Sequence, residues 1–126
     1  MSMRTPLKTA RNLGSAKEGA DHFWKQRVTG VANAVLGLFF VWLVASLAGA
    51  DHATVKKSIS NPTHAMALLS LIVSGTIHMR LGMQTIIEDY VRSEGPKIVL
   101  LMLNTFFCMA VALISIFAIL KLSFGA

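Results

Sequence analysis

Residues 63–87 read THAMALLSLIVSGTIHMRLGMQTII, and the fold turns on how this stretch is taken. It is apolar except for His64, His78 and Arg80. The run is too long for a buried strand. A helix of roughly 20 apolar residues crosses the ~30 Å hydrocarbon core of a bilayer. Its neighbours settle which kind of helix it is. Residues 28–50 and 98–120 carry no charged side chain at all. A soluble fold would have to hide three such helices inside a chain of 126 residues with hardly any polar face. The reading is therefore an all-α membrane protein with three transmembrane helices at about 28–50, 63–87 and 98–120, antiparallel in an up-down-up order.

Composition agrees. Hydrophobic residues make up 54% of the chain and charged residues 14%, against about 25% charged in ordinary soluble domains. The net charge of +6 is concentrated before residue 28. It is not spread along a groove or helix as nucleic-acid binding requires, so no nucleic-acid partner is expected. The single cysteine, Cys108, has no internal disulfide partner and reads as a small packing residue.

The linkers DHATVKKSISNP (51–62) and EDYVRSEGPK (88–97) read as turns. The first carries Asp51 and Asn61-Pro62, the second Gly95-Pro96 as a break. Pro62 suits the start of the following helix, where its missing N–H is not needed. Residues 1–27 read as a cytoplasmic N-terminal arm, extended over its first 20 residues, ahead of an anchor domain at 28–126. Lys and Arg near span ends face the cytoplasm. Arg4, Lys8, Arg11, Lys17, Lys25 and Arg27 lie on one side with Arg92 and Lys97; only Lys56, Lys57 and Lys121 lie on the other. The N-terminus is thus expected in the cytoplasm and the C-terminus in the periplasm. The first apolar run is longer than a secretory h-region and is read as a retained span.

Polar groups inside a span are functional candidates. At 100° per residue, Ser74, His78, Gly82, Thr85 and Asp89 share one helix face, with Gly75 beside it. Small residues there admit the close approach of a helix or of a flat cofactor. His78 lies about 18 Å along the helix from Tyr90, deep in the membrane. It could hydrogen-bond across a helix interface, relay a proton, or ligate a metal or haem iron. His64 is about 21 Å further along the axis and cannot share an iron with it, so a second axial ligand would come from another chain. Arg80, rotated about 200° from His78, either snorkels to the interface or pairs with a buried anion such as a haem propionate; isolated in mid-bilayer it costs at least ~2.5 kcal/mol. At the boundary, Tyr90 fits an aromatic belt and Asp89 a solvated helix end. Together they also offer a phenol and a carboxylate to a quinone carbonyl. In DHFWKQRVTG (21–30), Phe23, Trp24, Lys25 and Arg27 fit interfacial anchors.

The two polar stretches also carry a family pattern. His78, Gly82, Gln84 and Asp89-Tyr90-Val91, with His22-Phe23-Trp24, Gln26-Arg27 and Thr29 upstream, resemble the smaller hydrophobic anchor subunits of succinate dehydrogenase, respiratory complex II, of the α-proteobacterial and mitochondrial type. The resemblance covers the chain from about Asp21 onward. It implies a heteromeric helix bundle in the bacterial inner membrane, formed with a second three-helix anchor and carrying a flavoprotein and an iron–sulfur subunit. It implies one haem b shared by the two anchors, with His78 as this chain's axial ligand and Arg27 near the propionates. It implies ubiquinone contacts at Tyr90, with Asp89 beside it. The dehydrogenation itself belongs to other subunits, so no catalytic residue is expected here. Other family members carry an aromatic where this chain has Arg80. Fumarate reductase anchors are a close rival. A small transporter with a His/Arg/Asp path is the rival from another class.

Overall fold

The computed structural model describes residues 15–125, and the first 14 residues of the expected arm lie outside it. The described residues form four helices: α1 (Ser15–Ser46), α2 (His52–Ile59), α3 (Pro62–Tyr90) and α4 (Glu94–Phe124). Three are long and apolar enough to cross a membrane: Gly19–Ser46 within α1, Pro62–Tyr90 and Glu94–Phe124. At 28 to 31 residues they measure about 42–47 Å, more than the ~30 Å core. Their polar ends therefore project beyond the hydrocarbon. Helix α3 is central, packing on α1 along one side and on α4 along another; among the described residues the α1 and α4 backbones do not approach each other closely.

Few side chains are enclosed. Among the described residues Leu43, Ala65, Leu68, Ile87 and Cys108 are the buried apolar ones, while Leu38 is 75% and Ile114 70% exposed. In water such lateral faces would be unstable; in lipid they are solvated. Helix association without a hydrophobic drive rests on close packing and interhelical hydrogen bonds. Both are present. Between α3 and α4, the Asn104 carboxamide donates to the Arg80 carbonyl at 2.9 Å. The Cys108 thiol lies 3.5 Å from Asn104 Oδ1, so this free, buried cysteine is a packing residue.

The linkers differ from the sequence expectation. Helix α1 runs unbroken from Ser15 through Arg27 into the apolar run, so residues 15–20 are helical rather than extended. It stops at Ser46, four residues before the apolar composition ends, because the chain turns there. The Leu47 and Ala48 amides make tightened bonds to Val44 and Ala45 carbonyls at 3.2 and 3.3 Å. Gly49 then takes φ +79°, a conformation that a side chain would penalise.

The second difference is α2, where turns were expected. The Asp51 carboxylate accepts from the Thr54 amide at 3.1 Å and caps it. Asn61 caps α3 in turn, accepting from Thr63 N at 3.0 Å, with Pro62 in the first turn. Helix α2 is bolted down by polar contacts. Ser60 Oγ lies within hydrogen-bond distance of both the Lys56 and the Leu122 carbonyls, at 2.8 and 2.9 Å, and His64 Nδ1 donates to the Ser58 carbonyl at 3.0 Å. The His64 ring packs on Phe39 and Trp42, centroids 5.6 and 6.2 Å away. That accounts for His64 as a structural residue.

Gly95-Pro96 is not a break either. The pair sits in the first turn of α4, where proline's missing donor leaves nothing unpaired. Only Val91–Ser93 separate α3 from α4.

Asp51 gives a testable pH effect. Hydrogen bonds from the Thr54 hydroxyl and then the Thr54 amide hold its carboxyl below the ordinary 3.8. A depressed carboxylate stabilises the fold fully above pH 3.8 and stops doing so as pH falls through the lower, folded value. Asp51→Ala should therefore fray α2 at neutral pH. Amide exchange across residues 52–59, corrected for intrinsic rates, should accelerate in the variant and match the native chain once acid has protonated Asp51.

Candidate functional site

The polar face of α3 meets a polar face of α1. On α1 the residues are His22, Gln26, Thr29, Gly30 and Asn33, spaced by about one helical turn. The Ser74 hydroxyl donates to the Thr29 carbonyl at 3.2 Å. A Cβ on Gly82 would stand 3.3 Å from Gln26 Nε2, and one on Gly75 would stand 4.0 Å from Asn33 Oδ1. The small residues of α3 are thus occupied by α1. Of the two bodies the spacing allowed, helix or flat cofactor, the helix is the one seated there.

His78 projects into this seam opposite Gly30. A Cβ at Gly30 would lie 3.4 Å from its Cε1 and 3.8 Å from its Nδ1. His78 Nδ1 is 3.2 Å from the Gln26 carbonyl and 3.1 Å from Thr29 Oγ1. A carbonyl only accepts, so Nδ1 carries the proton. The other ring nitrogen, Nε2, has no hydrogen bond among the described residues. Nor is it among their sealed, unpartnered side-chain atoms. It is left as a lone-pair donor open to the outside of the chain.

Three side-chain atoms on the same face of α1 are buried without partners: His22 Nε2, Gln26 Oε1 and Asn33 Oδ1. Among the described residues no three His, Cys, Asp or Glu side chains gather into a metal cage.

The remaining candidates lie apart. Arg80 is exposed, and its carbonyl faces α4 through Asn104, away from the α1 seam that holds His78. Arg27 stacks its guanidinium over the Phe23 ring at 4.1 Å, and Trp24 meets Phe23 edge-on. Asp89 is exposed and Tyr90 is 81% exposed at the last turn of α3. Thr85 is spent within its own helix, donating to the Leu81 carbonyl at 3.1 Å.

Residues 1–118 match the family described as succinate dehydrogenase/fumarate reductase transmembrane subunit. The chain belongs to that family. The succinate dehydrogenase hydrophobic membrane anchor subunit of Paracoccus denitrificans is 30% identical over 97% of this chain and 94% of its own length. That of Rickettsia conorii is 31% identical over 79% of each. The succinate dehydrogenase membrane anchor subunit of Reclinomonas americana is 33% identical over 66% of this chain and 72% of its own. No solved structure matches.

Sequence reasoning on this anchor-family chain overlooked Asn33 and assigned no local role to His22, Gln26 or Thr29. Their 4, 3, 4 spacing was a legible signal, since polar residues at that interval on an otherwise apolar helix mark a face turned from lipid. Gly30 is the steric partner of His78. Gly30→Ala should be tolerated, because 3.4 Å is ordinary contact. Gly30→Leu should displace the imidazole at an overpacking cost of about 1–3 kcal/mol. Thermal stability of the purified complex should fall for leucine and stay near native for alanine.

Proposed function

We propose that this chain is the smaller hydrophobic anchor of a succinate:quinone oxidoreductase, giving one axial ligand to haem b and part of the site where ubiquinone is reduced. The observation that carries the reading is the state of His78. Its Nδ1–H is tied to a backbone carbonyl, and its Nε2 makes no hydrogen bond among the described residues. A histidine that ligates a metal nearly always anchors its other N–H in this way, which fixes ring orientation and raises ligand basicity. The donor set therefore fits a haem iron, with the second ligand supplied by the partner anchor. Bound there, haem b supplies a one-electron store within the membrane.

The chain's own residues do the rest. His78 would hold the iron from the α1–α3 seam. Arg27, exposed at the same level of α1, is the nearer candidate for the propionates. Arg80 could contribute only by reaching around α3, so it is the weaker one. Tyr90, a large aromatic left open at the helix end, would donate its phenol hydrogen to a quinone carbonyl, with the Asp89 carboxylate beside it to hold or pass a proton. Electrons derived from succinate arrive through flavoprotein and iron–sulfur subunits docked on the cytoplasmic face. The Lys/Arg asymmetry supports an N-terminus in the cytoplasm and a C-terminus in the periplasm of the bacterial inner membrane. The family description also covers fumarate reductases; which direction runs is set by the partners' potentials.

The test is a reduced-minus-oxidised spectrum of the complex purified from membranes. One b-type haem per complex is expected, together with hydrophilic subunits. A colourless preparation would instead favour the transporter reading.

A further inference from the structure

We infer that Thr29 is a positioning residue for His78, fixing which ring nitrogen faces the iron and tuning the affinity of the iron it holds for an electron. The inference rests on the haem reading above and concerns a residue on a different helix, 49 positions away. A threonine hydroxyl has one hydrogen and can accept two. Thr29 Oγ1 lies 2.7 Å from the Lys25 carbonyl and 3.2 Å from the Gln26 carbonyl. Both are pure acceptors, and the shorter contact takes the hydrogen. Towards His78 Nδ1, at 3.1 Å, the hydroxyl can then only accept. The Gln26 carbonyl, at 3.2 Å from the same nitrogen, also can only accept. Nδ1–H is therefore shared between two acceptors on successive turns of α1. The opposite tautomer would require Thr29 to turn its hydrogen from the Lys25 carbonyl to Nδ1 and would leave the Gln26 carbonyl without the ring's hydrogen.

Two consequences follow. In the neutral ring, Nε2 is then the nitrogen left with a lone pair. Acceptance of Nδ1–H by oxygen also strengthens electron donation from Nε2 to a bound iron, which favours the ferric over the ferrous state. Thr29 is the removable half of this arrangement, because the Gln26 carbonyl belongs to the backbone. Ser74 steadies the same turn from α3 through the Thr29 carbonyl.

The experiment compares Thr29→Val, Thr29→Ser and Thr29→Ala in the purified complex by potentiometric titration of the b-type absorbance. Valine keeps the shape and loses the acceptor. At a fixed ambient potential it should raise the ferrous-to-ferric ratio about three- to tenfold, an upward shift of the midpoint. Serine, which keeps the hydroxyl, should restore the native value. Alanine, which cannot clash, should shift the same way as valine and replaces it if the valine complex fails to assemble. Alanine or valine midpoints equal to the native one overturn the inference while leaving His78 as ligand. Equal shifts in serine and alanine also overturn it, since packing rather than the hydroxyl would then be responsible. Failure of the underlying reading looks different: a native complex with no b-type absorbance at all.

Discussion

A complex carrying His78→Leu should lose its b-type absorbance almost entirely. Leucine keeps the apolar bulk in the seam but has no lone pair for iron. Removing the outer partner of a metal-bound histidine already costs 10–100-fold in metal affinity. Removing the donor itself should cost at least about 100-fold, so haem per complex falls from near one towards zero. Assembly is expected to survive, because α3 is still held to α1 by Ser74 and to α4 by Asn104. Succinate oxidation with a soluble acceptor, measured on the same preparation, reports whether the hydrophilic subunits remain docked. His64→Leu is the control. That ring is committed to the Ser58 carbonyl and to Phe39 and Trp42, so its loss should loosen α2 and leave the absorbance intact. An unchanged spectrum in His78→Leu would remove this residue from the haem site.

Tyr90→Phe should separate the two halves of the reaction. The substitution keeps the ring at the last residue of α3 and deletes one hydroxyl. The residue is 81% exposed, so that hydroxyl is open to partners outside the chain. The effect should therefore fall on whatever binds from outside. Loss of a hydrogen bond to a quinone oxygen is worth about 0.5–1.5 kcal/mol. Quinone reduction should slow by up to about tenfold on that basis, while succinate oxidation with an artificial acceptor stays at the native rate. Parallel loss of both activities would mean that Tyr90 serves subunit docking instead.

Cys108 and Pro62 sit as composition and position suggested, because burial preference and first-turn chemistry are local. Helix α2 was hidden by its own signals: Asp51 and Asn61 are turn formers, and both serve instead as helix caps. A cap and a turn use the same side-chain chemistry, so only the backbone beyond the residue distinguishes them. The Gly95-Pro96 pair misled for a similar reason, since a helix start tolerates what a helix interior does not. The polar stripe of α3 was legible from its spacing, whereas its occupant was not.

The amino-acid order alone determined that three helices cross the bilayer and that His78 sits deep within the middle one, because apolar length and helical period are properties of consecutive residues. Only the tertiary structure decided that α1 fills the small-residue face of α3, that Arg80 looks towards α4 rather than the seam, and that Thr29 and Gln26 hold one nitrogen of His78 while leaving the other free. Those outcomes depend on the axial register between helices far apart in sequence. A shift of one residue, 1.5 Å along the axis and 100° around it, would exchange one set of contacts for another. Periodicity marks a face that avoids lipid; it does not record which atoms will meet there.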